Sequence, residues 1–161
     1  MGNYEIRLAH DDEISEIVGI YHSLIGSPGC SWDLDYPSRE TAEDDVKNGY
    51  LYVMKDGEKI IAVATAGNLD EWGDLQWSLQ NPCELARIGV IPAMQKQGIG
   101  SILLEHIIKE MKDKGYDGMR FTVWKNNHGA LAFYEKNGFE KCGEVFRFDR
   151  DNWCYQMEFN T

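Results

Sequence analysis

The sequence predicts an α/β domain, a mixed and mostly antiparallel sheet covered by helices. Three observations carry this. The β-rich runs "YLYVMK" and "KIIAVATAG" flank Asp56-Gly57, a strong hairpin signal. A long amphipathic segment, Gly98 to Lys114, lies between the strand-like runs "CELARIGVI" and "GMRFTVW", which makes a β-α-β crossover. The chain then closes with two further strand patterns, "FEKCGEVFRF" and "NWCYQMEF", around "DRD".

Taken in order, "YEIRLA" alternates and reads as a first strand. In "DDEISEIVGIYHSLI" the apolar residues Ile14, Ile17, Val18, Tyr21, Leu24 and Ile25 fall at helical spacing, with acids in the first turn. "GSPGCSWDLDYP" is a loop. "SRETAEDDVKNG" is a short helix capped by Ser38 or Thr41 and stopped by Gly49. The hairpin follows, then the loop "NLDEWGDLQWSLQNP" with two tryptophans. "CELARIGVI" ends at Pro92, and the long helix stops at Gly115. "NHGALAFYEKNG" is a last helix with Gly138 as its C-cap. The order is β-α-α-β-β-β-α-β-α-β-β, about seven strands flanked by four helices.

The chain has 161 residues, enough for one domain with one core, taken here as residues 1–161. Its net charge is −11 and its pI about 4.7, which argues against a nucleic-acid or anionic-membrane binder. The four cysteines form no CxxC pair, and the four histidines show no metal-ligand spacing. No metal site is expected. "MGNYEIRLAH" lacks a basic and an apolar region, so no signal peptide is expected. Ile6 stands where myristoylation needs Ser or Thr. No apolar run reaches the roughly 18 residues of a membrane span. The expected location is cytoplasmic.

The segment "VIPAMQKQGIGSILL" runs strand, turn, glycines, helix. A helix N-terminus offers unpaired N–H groups and a positive dipole end, and glycines let an anion approach. The Gln95–Ser101 loop is thus a candidate phosphate cradle, while the two glycines taken alone favour a tight turn before a helix. It is neither a P-loop nor a dinucleotide fingerprint, since no Gly-Lys-Ser/Thr follows and position 103 is Leu103. Gly89, inside a strand, signals a bulge or a close backbone approach. Glu84 lies six residues before Val90, and the even separation would put both on one sheet face.

Gln95, Gly98 and Gly100 fit Q/R-x-x-G-x-G/A. Asn127, Ala130, Tyr134, Gly138 and Phe139 fit N-x-x-A-x-x-x-Y-x-x-x-G-F. With "IGVIP" and "IRLAHDDEISEI", these residues resemble the GNAT superfamily of acetyl-CoA-dependent N-acetyltransferases over nearly the whole chain. The resemblance implies a sheet with a splayed central strand pair. It implies acetyl-CoA as co-substrate, its pyrophosphate on the loop amides of Gln95, Lys96, Gln97, Gly98, Gly100 and Ser101. Lys96 adds its charge there or is a solvated lysine. The pantetheine arm would pair with Ile88 and Val90, and Asn127, also a helix cap, would bond it.

An amine of pKa ~10.4 must lose a proton before it attacks. Glu84 is the candidate base, and Arg87 would pair with it or orient the loop. A solvent-facing strand carboxylate is the plain alternative. By resemblance Tyr134 is the general acid toward the CoA thiolate. A thiol near 8.5 and a tyrosine near 10 make full transfer cost about 2 kcal/mol, so a hydrogen bond suffices. By resemblance the Val90 N–H would face the developing oxyanion.

For the acceptor, "CSWDLDYP" offers Trp32, Asp33, Asp35 and Tyr36. "LDEWGDLQW" offers Asp70, Glu71, Trp72, Asp74 and Trp77. Aromatics mixed with acids suit a cationic amine, with Trp32, Tyr36 and Trp72 as contacts. Three readings stay open. They are transfer to a small cationic amine, transfer to a protein N-terminus or lysine, and a non-catalytic CoA-binding module. The C-terminal hairpin is apolar enough to carry a homodimer contact.

Overall fold

The computed structural model describes residues 4–27, 30–72 and 79–159. One sheet of seven strands forms the frame. Its elements are β1 (Tyr4–Leu8), β2 (Leu51–Asp56), β3 (Lys59–Gly67), β4 (Pro82–Val90), β5 (Gly118–Trp124), β6 (Glu140–Arg147) and β7 (Arg150–Glu158). They lie in the order β1-β2-β3-β4-β5-β7-β6. All neighbours are antiparallel except β4 and β5. The four helices are α1 (Ile14–Ser23), α2 (Arg39–Lys47), α3 (Ile99–Asp113) and α4 (His128–Lys136). The element order is the one the periodicities predict.

Several ends differ from expectation for local reasons. Asp11–Glu13 forms a separate tight 3-10 turn rather than the start of α1. There the Glu13 carboxylate accepts from the His10 N–H at 2.8 Å and from both terminal nitrogens of Arg7 at 2.8 Å. Lys55 of β2 adds a contact at 3.3 Å. His10, Asp12 and Glu13 come within 4.8 Å of one another, but Glu13 is already spent on these cations. Ser38 caps α2, its hydroxyl accepting from the Thr41 N–H at 3.2 Å. Gly98 precedes α3 in the left-handed region, φ +78°. The closing hairpin turns at Phe148 and Asp149, with Arg147 paired to Arg150, one residue before the expected centre.

The core lies on both faces of β3, which is buried from Ile60 to Gly67. Ile17, Ile20 and Tyr21 of α1 and Leu103, Leu104, Ile107 and Met111 of α3 complete it. The two helix layers are told apart along β4. A Cβ on Gly89 would meet Leu24, just past α1, at 2.6 Å. The neighbouring Val90 instead approaches Gly100 of α3. Successive strand residues point to opposite faces, so α1 and α3 cover opposite sides.

The parallel pair is short. β4 and β5 are in register only at Pro82↔Gly118, Cys83↔Met119 and Glu84↔Arg120. Beyond Glu84 the strands part. β4 stays with β3, and β5 with β7. No helix among the described residues is long and apolar enough to cross a membrane.

Candidate functional site

The parted strands open a cleft of about 1200 Å³. On the α3 side it is bordered by Val90, Gln95, Lys96, Gly98, Gly100, Ser101, Asn127, Phe133 and Tyr134. Across the gap stand Trp32, Tyr36, Glu71, Trp72, Arg87 and Gly89. The cleft thus passes through the sheet, between β4 and β5.

The expected loop residues gather at its first end. Gln95 donates from its side-chain amide to the Val90 carbonyl at 3.1 Å, which ties the loop back to β4. Lys96, exposed and at φ +64°, borders the cleft. Gln97 turns its amide to the Ala93 carbonyl at 3.4 Å and does not border it. Gly98 has nothing within 4 Å of a built Cβ, so only its positive φ asks for glycine there. Gly100 is different. An added Cβ would meet the Phe133 ring at 3.2 and 3.3 Å. The second glycine therefore admits a ring of α4, whereas the sequence suggested room for an anion. Ser101 accepts from the Asn137 amide at 3.2 Å. Asn127 caps α4, accepting from the Ala130 N–H at 3.2 Å.

The backbone of β4 explains what its free edge can offer. The Ile91 N–H donates to Ile61 at 2.9 Å, so the 61/91 pair is hydrogen-bonded. Bonded and non-bonded pairs alternate along an antiparallel ladder. The next pair, Ala62↔Val90, is therefore non-bonded, and the Val90 N–H points away from β3 toward the gap. Ile88 and Val90 both border the cleft.

Glu84 is not where the sequence argument put it. The ladder of β4 on β3 slips by one residue between Val63/Gly89 and Thr65/Ala86. The irregularity centres on Arg87, at φ +52°, not on Gly89. One extra residue inverts the alternation. Glu84 pairs with Gly67 and Val90 with Ala62, five positions apart on β3, so they face opposite sides. Glu84 is only 1% exposed and does not border the cleft. Its carboxylate accepts from Arg120 at 2.7 and 2.8 Å. It also accepts from the backbone N–H groups of Glu71 and Trp72, at 2.7 and 3.3 Å. A carboxylate so enclosed and so fully bonded cannot reach an acceptor amine. It fastens the loop after β3 instead.

Arg87 pairs with Asp45 of α2, not with Glu84. Its guanidinium donates to both Asp45 oxygens, at 2.9 and 3.0 Å, to the Tyr36 hydroxyl at 2.8 Å and to Glu71 at 3.1 Å. Thr65 donates to Asp45 at 2.9 Å. The network locks Tyr36 and Glu71 at the second end of the cleft. Nothing local in the sequence marks Asp45, Thr65 or Arg120 for these roles, since each partner lies far along the chain.

Tyr134 borders the cleft while 7% exposed. Phe121, Phe133 and Phe139 surround it at centroid distances of 4.3, 5.2 and 5.8 Å. Burial raises its phenol above the ordinary tyrosine value. Tyr134 is thus a member of the aromatic cluster and part of the cleft lining at once.

The motif residues, the parted strands and the loop before α3 all sit on one cleft. A family model described as the acetyltransferase (GNAT) family matches residues 17–139. The chain belongs to this family. Two curated GNAT relatives are informative. One is the [ribosomal protein bS18]-alanine N-acetyltransferase of Escherichia coli K12, 40% identical over 57 residues. That match spans 35% of this chain and only 38% of the enzyme. The other is an N-alpha-acetyltransferase of Sulfolobus acidocaldarius, 27% identical over 144 residues, 86% of this chain and 81% of that protein. A solved GNAT acetyltransferase from Streptococcus agalactiae 2603 superposes with a TM-score of 0.80. It covers 98% of this chain and 96% of that one, at 22% identity, a likeness of fold.

In this GNAT chain the second end of the cleft, and the cleft lining as a whole, differ from the acidic mouth expected for an acceptor. Trp32, Tyr36 and Trp72 do border it. Asp33, Asp35 and Asp70 do not. Asp74 and Trp77 lie outside the described residues. Among the described lining residues Glu71 is the one acid, against Arg87, Lys96, Lys136, Arg147 and Arg150. The β6–β7 tip supplies what the sequence reading missed. Phe148 meets Trp72 edge-on at 6.0 Å, and Arg147 lies over Trp72 at 5.4 Å.

Proposed function

We propose that the protein transfers acetyl from acetyl-CoA to a small primary amine, by direct attack in a ternary complex. The observation that carries this is the parted β4–β5 pair, with the Val90 N–H turned into the gap and the α3 loop at its end. An extended pantetheine arm can add to the free edge of β4 as a strand would. The amides of the Gln95–Ser101 loop and the start of α3 are placed to hold the diphosphate.

In the transfer the amine nitrogen attacks the thioester carbon. The new C–N bond forms, the C–S bond breaks, and the thiolate leaves with the electron pair. The Val90 N–H is positioned for the oxyanion. Tyr134, kept protonated by burial, hydrogen-bonds the departing sulfur rather than giving up its proton early. The amine's proton passes to water, and Glu71 attracts the ammonium beforehand. Glu84 acts as a positioning residue behind Glu71.

The Trp72–Phe148 and Arg147–Trp72 contacts bridge the acceptor end, which suits a small molecule. The N-alpha-acetyltransferase relative favours a second reading, a peptide α-amine. The test is mass spectrometry after incubation with acetyl-CoA and either free amines or an alanine-first hexapeptide. Acetylated free amines with an unmodified peptide support the first reading, and the reverse supports the second. An acetyl adduct on Cys30, which borders the cleft, would overturn direct attack.

A further inference from the structure

The acceptor end of the cleft is polar in an ordered way. At one side Glu71 stands beside Arg87, but Arg87 is already matched by both oxygens of Asp45. Two carboxylates against one guanidinium leave this side one negative charge in excess. At the other side is the tip of the β6–β7 hairpin. It brings Arg147 and Arg150 to the same cleft. Trp72 follows Glu71 in the chain, Phe148 touches Trp72, and Arg150 lies over Phe148 at 5.5 Å. The two charges thus sit along one continuous wall.

Arg150 is placed like a receptor rather than like a strut. Its guanidinium lies over Trp124 at 5.7 Å as well as over Phe148. Its Nε is buried without a hydrogen-bond partner among the described residues. With Nε enclosed, the part of a guanidinium that an anion in the cleft can meet is its terminal N–H groups, and Arg150 borders the cleft. The turn that presents it is strained. Phe148 and Asp149 have φ of +59° and +57°. A two-residue hairpin turn needs such angles, yet Asn or Gly adopts them readily and a bulky Phe does not. Phe148 is nonetheless 63% exposed, so its own burial does not compensate that strain. Strain held at a cleft wall is what a ligand contact can explain.

Resting on the acetyltransferase reading, we propose that the acceptor is a small zwitterion. It carries the primary amine together with an anionic oxygen group, a carboxylate or a phosphonate. The anion lies on Arg150, with Arg147 beside it, and the ammonium faces Glu71. The guanidinium fork suits either anion. The reaction is the balanced transfer given above, and the anionic group is unchanged by it.

The test uses matched probes on the whole chain. Leucine is paired with isopentylamine, ornithine with putrescine, and 2-aminoethylphosphonate with ethylamine. Two quantities are read: kcat/KM for acetylation, and calorimetric binding to the CoA-loaded protein. A charge-assisted contact of ~1.5–3 kcal/mol predicts a preference of about tenfold or more for the zwitterion of at least one pair. Arg150→Gln should collapse that ratio toward one, and Arg150→Lys should restore part of it. The carboxylate and phosphonate pairs distinguish the two anions. Equal or better binding and turnover of the plain amines would overturn the proposal, as would a ratio untouched in a folded R150Q protein. Binding of none of the probes to the CoA-loaded protein would overturn it too. Failure to bind acetyl-CoA at all would instead overturn the acetyltransferase reading beneath it.

Discussion

Glu84 shows how one side chain changes meaning between sequence and structure. As a strand carboxylate upstream of the glycine loop it reads as a base. Enclosed by Arg120 and two loop amides, it is a clamp. Glu84→Gln removes the buried carboxylate charge that Arg120 and the Glu71 and Trp72 amides share, a loss of about 3 kcal/mol by urea unfolding. The acceptor KM should rise as Glu71 and Trp72 loosen, while acetyl-CoA affinity holds. A fall in kcat with a shifted pH profile and no loss of stability would return Glu84 to the role of base. Tyr134→Phe should do the opposite. Only its hydroxyl is removed from the aromatic cluster, so stability changes little, and kcat should fall about 10²-fold with acetyl-CoA affinity retained. Unchanged turnover would remove Tyr134 from the chemistry.

At the scale of elements, the two loop glycines are separable. Gly98 is required by its φ of +78° and not by space. Gly98→Ala should cost about 1 kcal/mol, the left-handed penalty of an L-residue. Gly100→Ala meets no such penalty but must push the Phe133 ring, so it should weaken acetyl-CoA binding more than Gly98→Ala does. Paired calorimetry and thermal melts on the two variants check this, and equal effects would show that ring packing is not the distinction. The same contrast explains what was legible. The Asp56-Gly57 hairpin, the Ser38 cap and the helix from Gly98 are local patterns, and neighbours in sequence write them. The cleft loop was legible for the same reason. The bulge at Arg87 has no such signature, because an arginine at φ +52° looks like any strand arginine. That single irregularity undid the face assignment of Glu84. Asp45 and Arg87 stand 42 residues apart, and Glu84 and Arg120 stand 36 apart. Only the folded sheet with α2 packed on it brings such partners together.

Across the whole molecule, charge is arranged against its own average. A chain at −11 gathers five cations and one acid on the described wall of its cleft. A second network, far from the cleft, joins β1, the turn before α1 and β2 through Arg7, Glu13 and Lys55. The Arg7 hydrogen bonds hold the Glu13 carboxyl down at about 2, below its ordinary 4.5. A depressed carboxyl stabilises the fold fully above its unfolded value, and the contribution is lost as pH falls from there toward the folded value. Urea midpoints should therefore show wild type losing its advantage over Glu13→Gln between about pH 4.5 and 2. A constant gap across that range would mean that the ion pairs contribute nothing. The three residue pairs that join β4 to β5 have a mechanical meaning as well. They rivet a plate of four strands to a plate of three, and the mouth of the cleft lies at the far end of that seam. From Glu84 to Val90 the strand advances only five positions along β3 because of the bulge, ~17 Å at about 3.3 Å per residue. A swing of only ~5° at the rivet would move the mouth by roughly 1.4 Å over such an arm. The jaw is thus set at its pivot, by Glu84 and Arg120, neither of which borders the cleft.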